Sequence, residues 1–203
     1  MQNRIKICGI SRDTDTEYIN TSLPDYAGFI INYPKSRRNI TPQRAKELRE
    51  QIDAKIKTVG VFVDNDLNEV AKIANSGAID VIQLHGHESE DYITRLRQET
   101  NAEIWKSFIV KTHADILAAK ITKADRILLD GGLGYGVSFD HSLIKNLGKE
   151  YILAGGINAK NIEIILKTLN PWAVDISSGV ETNGVKDGNK ISEIISIIRK
   201  FNN

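Results

Sequence analysis

The chain predicts an α/β fold in which eight parallel strands close into a single-domain TIM-type (β/α)8 barrel over residues 1–203, and three observations lead there. Short β-rich apolar runs alternate with longer amphipathic stretches. The alternation repeats eight times without a long linker, charge block or low-complexity segment. Polar side chains also recur on one face near the carboxyl ends of these runs, at Lys6 and Cys8, Gln83 and His85, Asp130, and Asp175 and Ser177. An open doubly wound sheet would spread such groups along an edge, whereas a closed barrel gathers them at one mouth.

The first run, RIKIC, puts Ile5 and Ile7 on one face and Arg4, Lys6 and Cys8 on the other. The following GISRDTDTE supplies a glycine for a turn and Ser, Asp and Thr residues suited to capping a helix, so Cys8 ends a strand. By position alone, the single cysteine reads either as a small buried hydrophobe or as a nucleophile or base. AGFII follows, then TPQRAKELREQI, a helix that tolerates Pro42 in its first turn behind Thr41. KTVGVFV leads into DLNEVAKIANSG, where Leu67, Val70, Ala71 and Ile73 share a helical face and Gly77 stops the helix. The remaining strands are DVIQLH, IWKSFI, RILLD, YILAG and AVDIS.

Composition removes several function classes. With 27 Lys and Arg against 26 Asp and Glu, the net charge is +1, and no dense basic tract marks a nucleic-acid surface. One cysteine forms no intrachain disulfide. No apolar run is long enough to cross a bilayer or to serve as a secretory signal, so the expectation is a cytoplasmic protein with no membrane partner.

Two glycine-containing turns, LAGGINAKNIE and DISSGVETNG, follow the last two strands. Both offer unobstructed backbone N–H groups, the first ahead of a helix, where barrels commonly hold a phosphate. A third cluster, LLDGGLGYGVSFD, matches neither G-x-G-x-x-G nor G-x-x-x-x-G-K-[ST] and reads better as a mobile lid. Asp130 closes the apolar run ahead of it, where surrounding protein walls can raise a carboxyl pKa and let it hold a proton; a helix N-cap or turn aspartate is the plainer reading. Lys6 lies two positions from Cys8, roughly 6.5 Å along the strand, and either favours the thiolate or serves as a structural barrel lysine. No metal site is expected: His85 and His87 stand near each other without a completing set, and His113 and His141 fall in helical patterns.

Taken together, KICGI, YPKSRR, VGVFV, IQLHG, LLD, FDHSLI, LAGGI and VDISSGVE resemble the phosphoribosylanthranilate isomerases of tryptophan biosynthesis, in order and over nearly the whole chain. The resemblance implies an eight-stranded βα barrel, no cofactor, and an Amadori rearrangement of N-(5-phosphoribosyl)anthranilate to 1-(2-carboxyphenylamino)-1-deoxyribulose 5-phosphate. It also implies Asp130 as general acid and Cys8 as general base. Arg38 would pair with the anthranilate carboxylate, and Gly155, Gly156, Ser177, Ser178 and Gly179 would hold the phosphate. Gln83, His85 and Asp175 match positions lining the mouth, and a hydrogen-bonding network shaping the barrel explains them equally well. The loop GVSFDH departs from the family's GKTFDW, losing a lysine and a tryptophan. Alternatives are another phosphosugar barrel, such as an indole-glycerol-phosphate synthase or a sugar-phosphate epimerase, or a barrel that only binds a phosphorylated metabolite. Oligomeric state is not legible.

Overall fold

In the computed structural model, which describes residues 3–131, 141–144 and 147–202, eight strands form a closed parallel ring. They are β1 (Arg4–Cys8), β2 (Tyr26–Ile31), β3 (Lys57–Phe62), β4 (Val81–Leu84), β5 (Glu103–Ile109), β6 (Arg126–Asp130), β7 (Tyr151–Ala154) and β8 (Ala173–Ile176). Each strand pairs in parallel with the next, and β8 returns to β1 with Lys6 opposite Asp175. The closed-barrel expectation holds. Strand ends are trimmed for local reasons: the Val63 N–H turns to Asn65 Oδ1 at 3.0 Å, so β3 stops at Phe62.

Among the described residues seven helices cover the ring: α1 (Asp13–Ser22), α2 (Pro42–Gln51), α3 (Leu67–Asn75), α4 (Glu90–Glu99), α5 (His113–Ile121), α6 (Ile162–Leu169) and α7 (Gly188–Asn202). Thr41 caps α2 by accepting from the Arg44 N–H at 3.1 Å, with Pro42 in the first turn, where its missing N–H costs no helical bond. Asp66 caps α3, whose Leu67, Val70, Ala71 and Ile73 are all buried, and Gly77 takes the left-handed conformation just past its end. Between β6 and β7 the described residues hold a 3-10 turn, His141–Ile144. The glycine-rich stretch read as a lid, including the atypical GVSF segment, falls largely at residues 132–140, outside the described residues. No described helix is long and apolar enough to cross a membrane.

Strand alternation divides the core. Ile5, Ile7, Phe29, Ile31, Ile82 and Leu84 point out to the helices, while Tyr26, Val59, Val81, Trp105, Leu128, Ile152 and Ala173 fill the barrel. Fully burying one such aliphatic side chain stabilises the fold by about 1.5–3 kcal/mol. The amino-terminal end is plugged by aromatics: Trp105 meets Tyr26 edge-on at 5.0 Å between ring centroids, and Trp172 at 6.1 Å. The Arg126 guanidinium lies 3.6 Å from the Trp172 ring centroid. A cavity of about 870 Å³ opens at this end, lined by Arg4, Arg126, Trp172 and Arg199 among others. The polar side chains singled out above lie at the other end, where β1, β4, β6 and β8 finish.

Candidate active site

Cys8 ends β1 opposite Gly28 of β2. A Cβ at Gly28 would stand 3.0 Å from Cys8 Sγ and 2.9 Å from Lys6 Cε, so this glycine leaves the space both side chains occupy. Below the thiol, Lys6 is wholly buried and pairs with Asp175 at 2.7 Å. Burial pushes the Cys8 thiol above its ordinary pKa; the positive charges of Lys6 and Lys186 oppose that rise, and the Asp175 carboxylate adds to it. Burial alone would lower the Lys6 pKa, but the Asp175 carboxylate and then Cys8 more than offset it, so the ammonium is held. Lys6 is therefore both a structural partner of Asp175 and a cation beneath the thiol.

Arg38 reaches the same place from the segment after β2. Its Nε and Nη2 donate to the two Glu181 oxygens at 2.6 and 2.8 Å, a fork-to-carboxylate pair. Arg37 joins Glu181 at 2.6 Å, and the buried Lys186 ammonium donates to Glu181 Oε1 at 2.7 Å and to the Ser177 carbonyl at 2.9 Å. Burial would raise the Glu181 carboxyl, but hydrogen bonds and charge from Arg38 and Lys186 overcome it and hold the pKa at about 2. Glu181 and Lys186 face each other across a short antiparallel hairpin, residues 181–182 with 185–186. Ser177 Oγ donates to the Cys8 carbonyl at 3.1 Å, tying the start of this loop to the end of β1.

Asp130 ends β6 with its side chain 23% exposed at the mouth. A Cβ at Gly155 would stand 3.0 Å from Asp130 Oδ1, so the carboxyl borders the loop after β7. His85 Nε2 lies 3.7 Å from Asp130 Oδ2, and His85 Nδ1 lies 3.0 Å from Gln83 Nε2. Burial pushes the imidazole below its ordinary pKa, against the opposing pull of Asp130. Among the described residues, Gln83 Oε1, Ser107 Oγ and Asp175 Oδ1 are buried side-chain atoms with no hydrogen-bond partner.

The two glycine turns come together. Gly155 and Gly156 both adopt positive φ, +97° and +63°, and a Cβ at Gly179 would collide with the Ile157 carbonyl oxygen. Only glycine lets the loop after β8 press against the loop after β7 at this point. Ser178 opens the 3-10 turn Ser178–Val180, and α6 begins at Ile162 beyond the first loop. Among the described residues no group of three or more His, Cys, Asp or Glu is arranged to hold a metal ion.

All the residues singled out from the sequence thus sit on the carboxyl ends of strands or the loops leaving them. Cys8, Arg38, Asp175 and Ser177 interlock on one side; Asp130, His85, Gln83 and Gly155 do so on the other. Glu181, Lys186 and Gly28 were not anticipated. Glu181 stood within the SSGVE motif and was readable there, whereas Lys186 and Gly28 carry no sequence signal because only the folded hairpin and the β1–β2 register bring them to the mouth.

A closed βα ring whose ionisable side chains meet at the carboxyl-terminal mouth, beside glycine loops able to approach an anion, defines a TIM-barrel enzyme. The sequence profile of the N-(5'phosphoribosyl)anthranilate (PRA) isomerase family matches residues 5–197, and the chain belongs to that family, a family of isomerases. The N-(5'-phosphoribosyl)anthranilate isomerase of Clostridium acetobutylicum is 40% identical over 207 residues, covering 98% of each chain. The phosphoribosyl anthranilate isomerase of Thermotoga maritima superposes with a TM-score of 0.87 at 31% identity, covering 98% of this chain and all of that one. A further phosphoribosyl anthranilate isomerase structure, in complex with reduced 1-(o-carboxyphenylamino)-1-deoxyribulose 5-phosphate, gives a TM-score of 0.86 at 30% identity, with 98% and 100% coverage.

Proposed function

We propose that this chain, as one barrel domain, isomerises N-(5'-phosphoribosyl)anthranilate to 1-(2-carboxyphenylamino)-1-deoxyribulose 5-phosphate, a step of tryptophan biosynthesis, with Asp130 as general acid and Cys8 as general base. The observation that carries the reading is that a thiol ends β1 and a carboxyl ends β6, both at the carboxyl-terminal mouth of the barrel, in a chain of this family. The relative bound to a reduced form of the product supports the choice of ligand.

Asp130 gives its proton to the furanose ring oxygen as the bond from that oxygen to C1 breaks, and the anilino nitrogen lone pair forms the C1=N Schiff base. The Cys8 thiolate then takes the proton from C2, the electron pair moves into C1–C2, and the enolamine ketonises to the ribulose. Both proton transfers stay within the pair and solvent. A thiolate is a minor form of a buried thiol, and the cations Lys6 and Lys186 make it reachable. The substrate phosphate rests on Gly155, Gly156, Ser177, Ser178 and Gly179. The anthranilate carboxylate meets Arg38, whose guanidinium Glu181 has already oriented. Gln83, His85 and Asp175 line the pocket walls.

The deciding experiment is a fluorescence assay of the purified protein with phosphoribosylanthranilate generated in place from anthranilate. Decay well above spontaneous breakdown supports the reading. Decay at the spontaneous rate, with phosphorylated ligands still bound, would favour a binding-only barrel.

A further inference from the structure

We propose that Gln83 is a positioning residue for this reaction: its side-chain amide donates to His85 Nδ1 at 3.0 Å and so holds the imidazole in the Nε2–H form that faces Asp130. This rests on the isomerase reading only for its consequence in catalysis; the ring form itself is a property of the free protein.

The direction of the Gln83–His85 bond follows from what else is buried. As oriented, the amide leaves one acceptor, Oε1, without a partner among the described residues. Reversed, it would turn both amide N–H groups to the side on which Oε1 now finds no partner and would require a proton on Nδ1; as oriented, the amide N–H makes Nδ1 the acceptor. With Nδ1 accepting, a neutral ring carries its proton on Nε2, 3.7 Å from Asp130 Oδ2.

The backbone beneath the ring is clamped. The His85 N–H donates to the Phe62 carbonyl at 2.8 Å, and the Gly86 N–H donates to Glu88 Oε2 at 3.0 Å. Glu88 is itself paired with the buried Lys106 at 2.7 Å, and Lys106 also donates to the Gly86 carbonyl. The charges that act on the ring are Asp130 from β6, Lys6 from β1, Asp175 from β8 and Lys106 from β5. These offset one another in sign, and burial disfavours the imidazolium.

A neutral N–H donor suits an acid that must release a proton. With its N–H 3.7 Å from the carboxyl oxygen, the neutral ring is placed to stabilise negative charge as it develops on Asp130.

The test is the protonation pattern of the His85 nitrogens in long-range proton–nitrogen correlation spectra of the ligand-free protein, with His85 identified by the signals lost in His85→Asn. The expected wild-type pattern at neutral pH is Nε2 protonated and Nδ1 bare. Gln83→Met should mix the two neutral forms and lower kcat about tenfold, with KM changing less than about twofold. Gln83→Glu should place a proton on Nδ1 and charge the ring at neutral pH. A wild-type ring protonated on Nδ1, nitrogen signals indifferent to both substitutions, or a loss confined to KM would each overturn the assignment. The wild-type spectrum decides even where a variant does not fold. Absence of isomerase activity in the wild type would strike the proposed function and leave the ring form measurable.

Discussion

The Arg38 side chain runs directly across Gly9, the residue after Cys8, so closely that a Cβ at Gly9 would overlap Arg38 Cδ. Gly9 also holds φ at +85°, and its N–H and that of Ile10 both donate to the Gly28 carbonyl. One backbone turn thereby sets the distance between the thiol and the guanidinium. Gly9→Ala should cost about 1–3 kcal/mol through the positive φ and the overlap. It should also raise KM more than it lowers kcat, because Arg38 is what moves. Denaturant unfolding and steady-state kinetics check this; an unchanged KM would separate Arg38 from substrate binding.

Removing either proton-transfer group should stop turnover without emptying the site. Cys8→Ser and Asp130→Asn are each expected to reduce kcat by about 10²–10⁴. Binding of a phosphorylated product analogue, followed by calorimetry, should stay within a few-fold of wild type. Full activity in either variant would remove that residue from its role.

The thiol predicts the shape of the pH profile. Burial holds Cys8 protonated beyond its ordinary range, so kcat/KM should rise as pH increases above neutrality and the thiolate population grows. Lys186→Met removes one of the cations that favour the thiolate, which should move this rise to higher pH. A profile that stays flat through the alkaline range would contradict Cys8 as base.

Lys6 and Asp175 form a buried pair, so removing one partner leaves the other charge alone in the barrel. Lys6→Met should destabilise the fold by about 3–5 kcal/mol. Lys6→Met combined with Asp175→Leu should recover much of that loss, because no unpaired ion remains. Urea midpoints of the wild type, the single variant and the double variant measure the difference.

Glu181 supplies an acid-sensitive part of the stability. Its carboxyl is held at about 2 in the folded chain, below the ordinary value of 4.5, so the unfolded state takes up its proton first as pH falls. The contribution is complete above about 4.5 and is lost as pH falls towards 2. Glu181→Gln should flatten the stability curve in that window. At neutral pH it should lower stability outright, since Lys186 is left buried without its carboxylate.

Much of the fold was legible because a barrel repeats one local pattern. All eight strands lie where apolar runs alternate, within a residue or so at each end; α2 begins behind Thr41 with Pro42 in its first turn, and α3 ends just ahead of Gly77. Short strands such as Asn39–Ile40 and the hairpin at 181–186 escaped notice, since two residues carry no period.

Local chemistry thus determined by itself the order of strands and helices, the faces they bury, and which ionisable residues end a strand. It also determined the glycine turns after β7 and β8, because steric limits on φ and the period of two act between neighbours in the chain. Partnerships were decided only by tertiary structure: Lys6 with Asp175, Glu181 with Arg38 and Lys186, and His85 facing Asp130. Such pairs join strands and loops up to 169 positions apart, and ring closure brings them within a few ångströms. Charge, burial and hydrogen bonding at the mouth depend on those distances, which no local pattern encodes.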